Sequence, residues 1–473
     1  MKLKHLILAS AVIMMAAACS DALEERPAGG IVDETALGVP SESTDPSAVT
    51  MTEIGNIAAE MFGTSRSRSS AQHGYTIGEI RDAEGNPSIY VLNRPNGGGF
   101  VLVSATKDYY PVLGYSDSGN FDIGGTEAIG GLEEWKDCIV GNIAEAAYQP
   151  ADTLRKYRSM WHRYEDNRFE IKKADATRSI SNSELTELQN IMMDSIMSWG
   201  TSVKIHNVTE NIFGNTTEYE NFLNLLQGVI APEYMEYWED LSVWVERTTV
   251  AEETKVDNFV QSTWGQDFGY NECFPLLDNG LNAVAGCGPV AAGQVMRYFE
   301  HPASFDWDAM PLTYPTRTTS QLLRDIADKA NADYDIGSTG TNIEDISNVI
   351  TSYGYQVYYY KEDNKSFIQN TIMDNCIDKK PVITRGAEQK GQSGHMWVIS
   401  GIDYRQDYHR YELWTFMSPD KFQRFPNDYL AKYSDVHYHY MNWGWYGGQN
   451  GFYLTPLNYI MDRRYIFNIT PIK

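Results

Sequence analysis

The chain runs to 473 residues with a formal net charge of −25 at pH 7, and 42% of its residues are hydrophobic. That length suits about three domains, and 31 tyrosines with 11 tryptophans supply the bulk of packed cores rather than of a disordered chain. The acidic balance excludes nucleic acid or a bare anionic membrane as partner, and five isolated cysteines form neither a disulfide framework nor a zinc-finger spacing.

Residues 1–19 begin with Lys2 and Lys4, continue as an apolar stretch too short to span a bilayer, and end in small residues before Cys19. This is the pattern of a secretory signal. Ala16, Ala17, Ala18 and Cys19 are similar to a lipoprotein cleavage box, so Cys19 is the expected lipidation site and the membrane is met only through that anchor. Ala16 stands where such boxes more often carry Leu, so plain secretion stays open. The expected address is export: a bacterial cell envelope, outer membrane or cell surface, or the medium after processing.

Residues 20–50 mix Pro, Gly, Ser, Thr and acids without periodicity and read as a flexible tether. Residues 51–148 form a small α+β domain. Its pattern predicts a helix over 47–61, a strand in NPSIYVLN, a Pro-Asn-Gly turn, strands over 100–104 and 112–115, and a closing helix over 129–147. Residues 149–252 are a helical linker or subdomain whose role the sequence leaves open. Leu185, Leu188, Met192 and Ile196 share a helical face, and 219–226 and 233–245 also read as helices. Lys172, Lys173, Arg178, Arg247 and Lys255 are basic candidates for cleavage.

Residues 253–473 carry the chemistry. Cys287 sits in a Gly-Cys-Gly-Pro turn that opens an apolar, small-residue helix reaching His301. Backbone N–H groups at a helix N-terminus favour a thiolate. Gly286 gives the sharp turn and room for substrate, and Pro289 suits a first turn that needs no N–H. Helices follow over 320–331 (capped by Ser320), 342–353 (capped by Thr341 or Asn342) and 366–379. Strands are predicted over 356–360, 381–384 and 396–402. The glycine-rich loop from Ile336 to Asn342 lacks the Gly-Lys-Ser/Thr ending of a phosphate loop and reads as a cleft rim. His437 and His439 alternate on a strand, which fits a sheet better than a metal pair. A bridge between Cys273 and Cys376 stays open.

His395 follows Gly394 at the start of a strand, and Asn442 and Trp443 precede a glycine-rich turn. A thiol needs a base within reach, and the base needs a third group to fix its tautomer. Cys287, His395 and Asn442 come in that order, with Trp443 able to shield the bond from water.

Four motifs now coincide: W-x-Q-x-x-x-Y-N at 264–271, G-C-G-P-V-A-A-G-Q-V-M-R-Y from Gly286, G-H-x-x-V-I-x-G-x-D from Gly394, and N-W-G-W-Y-G-G-x-x-G-F-Y from Asn442. Together they resemble the streptopain family of papain-like cysteine peptidases. His395 and Asn442 lie 108 and 155 residues beyond Cys287, close to the papain-like spacing of about 130–150. The resemblance implies an α+β, two-lobed papain-like domain preceded by a small α+β propeptide domain that keeps the enzyme latent. It implies Cys287 as nucleophile, His395 as base, Asn442 as orienter, and Gln266 with the Cys287 N–H as oxyanion donors. Trp443, Gly394 and Gly286 are expected beside the substrate. Protein or peptide substrates, preference for an apolar side chain next to the scissile residue, and no cofactor or metal follow from the same resemblance. The family's long glycine-rich loop near the C-terminus has no counterpart here. An amidase or cell-wall hydrolase using the same Cys and His, or a non-catalytic surface binding protein, are the rival readings.

Overall fold

The computed structural model describes residues 47–63, 74–124, 130–165, 181–199, 203–208, 216–227, 229–230, 232–335, 337–386, 394–418, 421–425, 430–456, 459 and 463–472. The signal, Cys19, and the cleavage candidates Lys172, Lys173 and Arg178 lie outside these residues, as does most of the expected tether. Its last residues, however, are built into the fold. Ala48 bridges Thr106, and Thr50 caps α1 (Met51–Met61) in a reciprocal capping box with Glu53.

After α1 the chain forms an antiparallel meander: β1 (Thr76–Arg81), β2 (Pro87–Asn93), β3 (Phe100–Ser104) and β4 (Val112–Ser116). Every residue of β3 is buried, so its continuous apolar run is covered on both faces. One cover is α2 (Gly130–Ala144), which buries Leu132, Trp135, Ile139 and Ile143 at helical spacing. Burying each such side chain contributes on the order of 1.5–3 kcal/mol. Next come α3 (Ala151–Trp161), α4 (Asn182–Ser198), β5 (Lys204–Asn207), α5 (Thr216–Gln227), α6 (Pro232–Met235) and β6 (Ser242–Val256). The helix expected over 233–245 is thus cut to one turn, and its second half is strand. Val243, Val245, Thr248 and Thr249 are β-branched, and such residues favour a pleated surface over a helix.

The remaining elements are α7 (Cys287–Phe299), α8 (Arg317–Lys329), the hairpin β7 (Asp333–Asp335) with β8 (Ser338–Gly340), α9 (Ile343–Ser352), β9 (Tyr355–Tyr360) and α10 (Lys365–Ile377). They are followed by β10 (Val382–Gly386), β11 (His395–Ser418), β12 (Lys421–Arg424), β13 (Leu430–Asn442), β14 (Gly451–Leu454) and β15 (Arg464–Pro471). The α8 cap is Thr316, whose side chain accepts from Thr319 N. Ser320 instead lies inside that helix, buried, and accepts from Cys273 N at 2.9 Å. Cys138, Cys273, Cys287 and Cys376 are all free thiols.

One sheet joins three regions. Its order is β1-β2-β3-β4-β14-β13-β11-β10-β15-β9, and β6 pairs with β11 and β5. The meander therefore enters the sheet of the C-terminal half edge to edge, through Tyr115 opposite Phe452 and Gly114 opposite Tyr453. Strand β11 is 24 residues long. Its first part lies between β10 and β13, and its later part runs out beside β6. The expected strand over 396–402 is only its beginning. Three apolar cores result. One lies between the meander with α2 and the sheet (Trp135, Trp397, Trp443, Tyr453). The second lies under α7, α8 and α9 (Trp264, Val295, Leu322, Ile346). The third packs α4 and α5 on β6 and distal β11 (Leu188, Phe222, Trp244, Leu413). The helix-first, strand-last region from 253 onward is α+β, with a small α+β domain ahead of it.

Candidate active site

Gly286, with φ at 85°, precedes α7 and makes Cys287 its first residue. A Cβ there would stand 2.8 Å from the Thr339 carbonyl oxygen, so both the turn and the space require glycine. Helix α7 is buried from Gly288 to Met296, which fixes the thiol at its N-terminus. Burial by itself would raise the Cys287 pKa. The charge and hydrogen bond of His395, with the backbone N–H groups of Met396 and Gly288, outweigh burial and hold it below the ordinary 9.0.

His395 starts β11, opposite Gly386 of β10. Its Nε2–H donates to the Trp443 carbonyl at 2.9 Å, which leaves Nδ1 to face the thiol. Burial would depress the imidazole. The Cys287 charge and hydrogen bond prevail, helped by the Trp443 carbonyl and by Glu134, and lift it above 6.5. The lowered thiol and the raised imidazole are both shifts towards the thiolate–imidazolium form, and the two titrate as a unit.

Asn442 departs from expectation. Its Nδ2 donates to the Ser262 carbonyl at 2.8 Å and to Gln294 Oε1 at 3.1 Å, and its Oδ1 accepts from Gly444 N at 3.3 Å. The residue on His395 is its neighbour, through a backbone carbonyl. Register explains the difference. Asn442 pairs with Val398, three residues from His395, and an odd offset puts two side chains on opposite faces of a sheet. Met396 and Val398 pack on the α7 side, whereas Trp397 and Trp443 pack on the other. Asn442 thus pins the turn whose carbonyl holds the imidazole. No signal in the residue types distinguishes a backbone orienter from a side-chain one.

Gln266 is buried, and its backbone carbonyl accepts from Ala285 N at 2.7 Å, beside the turn into Cys287. Among the described residues its side-chain amide makes no hydrogen bond, so the amide is uncommitted. A cavity of about 740 Å³ opens at Cys287, with Thr339, Gly340, Thr341, Gly394, Arg385 and Arg464 in its lining. The expected cleft rim at 336–342 therefore borders this cavity through Thr339 to Asn342. Gly286 packs on its Thr339 wall, whereas Trp443 is fully buried and stands outside the lining. His439 is buried too, and desolvation with the nearby His437 pushes its pKa down to about 3.

The sequence did not show what covers the imidazole. The first turn of α2 lies on it: a Cβ at Gly131 would stand 2.9 Å from Trp397 Cε3 and 3.0 Å from both His395 Cδ2 and Trp443 Cζ3. Only glycine lets a helix approach this closely. Glu134 of α2 pairs with the buried Arg463 at 3.0 Å, and Trp135 Nε1 donates to the Leu454 carbonyl at 2.8 Å. Gln449 Nε2 donates to the Asp122 carbonyl at 3.3 Å.

The profile of the peptidase C10 family matches residues 264–305 and 303–453, and that of the Spi protease inhibitor matches residues 46–140. Gly130, Gly131 and Glu134 fall within the second match. The thiol protease/hemagglutinin PrtT of Porphyromonas gingivalis is 24% identical over 237 residues, 41% of this chain and 23% of that protein. Streptopain of Streptococcus pyogenes is 23% identical over 394 residues, 78% of this chain and 75% of streptopain. The chain thus spans about a quarter of the first relative and three quarters of the second. Among solved structures, a fragment of Prevotella intermedia prointerpain A aligns over 84% of this chain and 98% of its own, at 14% identity and a TM-score of 0.44.

Proposed function

We propose that this chain, which belongs to the peptidase C10 family of cysteine peptidases and carries a Spi-type inhibitor domain ahead of the peptidase region, is the latent precursor of an exported endopeptidase. The observation that carries the reading is the Cys287–His395 pair, with a lowered thiol and a raised imidazole, lying beneath the glycines that open α2.

The thiolate attacks a peptide carbonyl, and the negative charge moves to the carbonyl oxygen. The Cys287 N–H and the Gln266 amide receive it. The His395 imidazolium gives its proton to the leaving amine, then as a neutral base takes one from the water that breaks the acyl-enzyme. The Trp443 carbonyl holds the ring in the tautomer this needs. Asn442 acts at one remove, as a positioning residue. In the precursor α2 closes the imidazole side of the site, and release requires the meander to part from β14.

The domain limits fitting this reading are a signal through 19, a tether to about 50, the inhibitor domain to 148, the intervening region to 252 and the peptidase beyond it. Export is followed by lipid anchoring at Cys19, and labelling with a clickable fatty acid, lost in Cys19→Ser, tests the anchor. The substrate class is tested by exposing the processed enzyme to casein and to peptidoglycan fragments. Hydrolysis of casein alone supports the endopeptidase, and hydrolysis of peptidoglycan alone selects the amidase reading instead.

A further inference from the structure

Away from Cys287, β6 buries a carboxylate. Glu246 is 1% exposed, and its oxygens meet three imidazoles. His162 Nδ1 lies 2.6 Å and His206 Nε2 2.8 Å from the same oxygen, Oε2. The other oxygen, Oε1, accepts from His409 Nδ1–H at 2.8 Å and from the Thr248 hydroxyl at 3.3 Å. His409 in turn is held through Nε2 by the Ser434 hydroxyl at 2.8 Å. Among the described residues no lysine or arginine reaches Glu246, although a buried carboxylate needs a compensating positive charge.

The four groups come from four elements. His162 follows the last turn of α3, His206 lies on β5, Glu246 on β6 and His409 on β11. One ligand atom each from His162, His206 and Glu246 fall within 4.8 Å of one another, and the two rings are 4.3 Å apart.

We propose that His162, His206 and Glu246 bind a divalent transition-metal ion, zinc by preference, at a structural site that ties the end of α3 to β5 and β6. Two imidazole nitrogens and one carboxylate oxygen are a zinc ligand set. Calcium and magnesium favour all-oxygen sites instead. Tetrahedral coordination sets ligand atoms roughly 3.3 Å apart, so an ion entering replaces the two N–H···O contacts and the rings draw back by about half an ångström. His162 stands at the edge, its side chain 18% exposed, which leaves an entry path and a fourth position for water. His409 and Thr248 are the outer partners. By holding Oε1 they aim Oε2 at the ion, the arrangement that tunes most histidine and carboxylate metal ligands. The site stands apart from the peptidase reading, since none of its residues takes part in that chemistry.

The test uses the full chain carrying Cys287→Ala, because a thiolate–imidazole pair would itself compete for zinc. Protein stripped with chelator is titrated with zinc chloride by calorimetry, and with cobalt(II) by absorption. The site predicts one equivalent of zinc, a rise in melting temperature with zinc, and cobalt bands of a nitrogen/oxygen tetrahedron without thiolate charge transfer. His162→Ala, at the exposed edge, weakens binding by more than about tenfold and removes the zinc-dependent melting shift. His409→Gln weakens it by roughly 10–100-fold through the outer shell. Absence of zinc binding overturns the proposal, as does binding unchanged by His162→Ala, or a thiolate charge-transfer band that assigns the ion to a free cysteine. The cobalt spectrum needs no variant beyond Cys287→Ala, so a misfolded His162→Ala chain leaves the test intact.

Discussion

Strand β11 carries an imidazole into two very different places. At its first residue His395 faces the Cys287 thiol, and further along His409 faces the Glu246 carboxylate. Both set a ring beside an acidic group, the half-buried thiol at one and the buried carboxylate at the other. At the first, the thiol has one imidazole and the end of a helix and opens onto a cavity, and that imidazole is covered by a segment held by the β4–β14 pairing, the first turn of α2 and side-chain contacts such as Glu134–Arg463. At the second, three imidazoles and a hydroxyl contact the carboxylate, two of the rings from neighbouring strands and the third from the end of α3. Residue type does not separate a reactive pair from a structural one. Access and the number of donors already spent on the anion do.

The largest expected effect removes the reactive half of that contrast. Cys287→Ala, processed in trans by the unsubstituted enzyme and then purified from it, lowers kcat for a protein substrate by more than about 10⁴-fold, as loss of a nucleophile does, measured as casein hydrolysis. Retained hydrolysis would end the contrast. Next comes the cover. Gly131→Leu drives a side chain into His395, Trp397 and Trp443, and overpacking of this kind costs about 1–3 kcal/mol. The precursor should expose its thiol roughly 5–150-fold more to an active-site probe. Labelling equal to that of the unsubstituted precursor would mean that α2 does not gate the site.

The pH dependence sharpens the same comparison. The thiol is lowered from 9.0, so the thiolate persists to lower pH, and the imidazole is raised from 6.5, so its proton stays on to higher pH. Both shifts favour the ion pair, which is lost on the acid side by protonating sulfur and on the basic side by deprotonating His395. Alkylation by iodoacetamide against pH should show an acid limb below the ordinary thiol value. Glu134 of α2 contributes to raising His395, so removal of the inhibitor domain should shift the basic limb downward. The smallest effect belongs to Asn442→Ala. Losing its bonds to Ser262 and Gln294 costs about 1–3 kcal/mol of stability and lowers kcat modestly, and both alkylation limbs stay in place because the Trp443 carbonyl still holds His395. A displaced limb would show that the Asn442 side chain touches the ring.

How much of this could be read from the residues follows the range of the forces involved. The α7 turn was legible because Gly286, Cys287 and Pro289 act locally, and β3 because four consecutive apolar residues, Phe100 to Val103, need burial on both sides. The segment from 242 to 256 was misread in part, since its neighbours, β5 and distal β11, lie far away in the chain and pairing rather than local pattern makes it a strand. Asn442 was misassigned because the face a side chain takes depends on register with β11. The cluster at Glu246 was invisible: His162, His206, Glu246 and His409 are spread along the chain, and only the sheet assembles them. Gly131 was one glycine among 38 until its contact with His395 gave it a reason.

The most direct test incubates the purified chain under reducing conditions beside its Cys287→Ala variant, with gel analysis, N-terminal sequencing of fragments and an active-site thiol probe. The account predicts that the unsubstituted chain loses its inhibitor domain and then labels at Cys287, while the variant stays whole and unlabelled. A variant that is processed identically when expressed alone, or a Cys287 that stays unreactive after the inhibitor domain is gone, would contradict it.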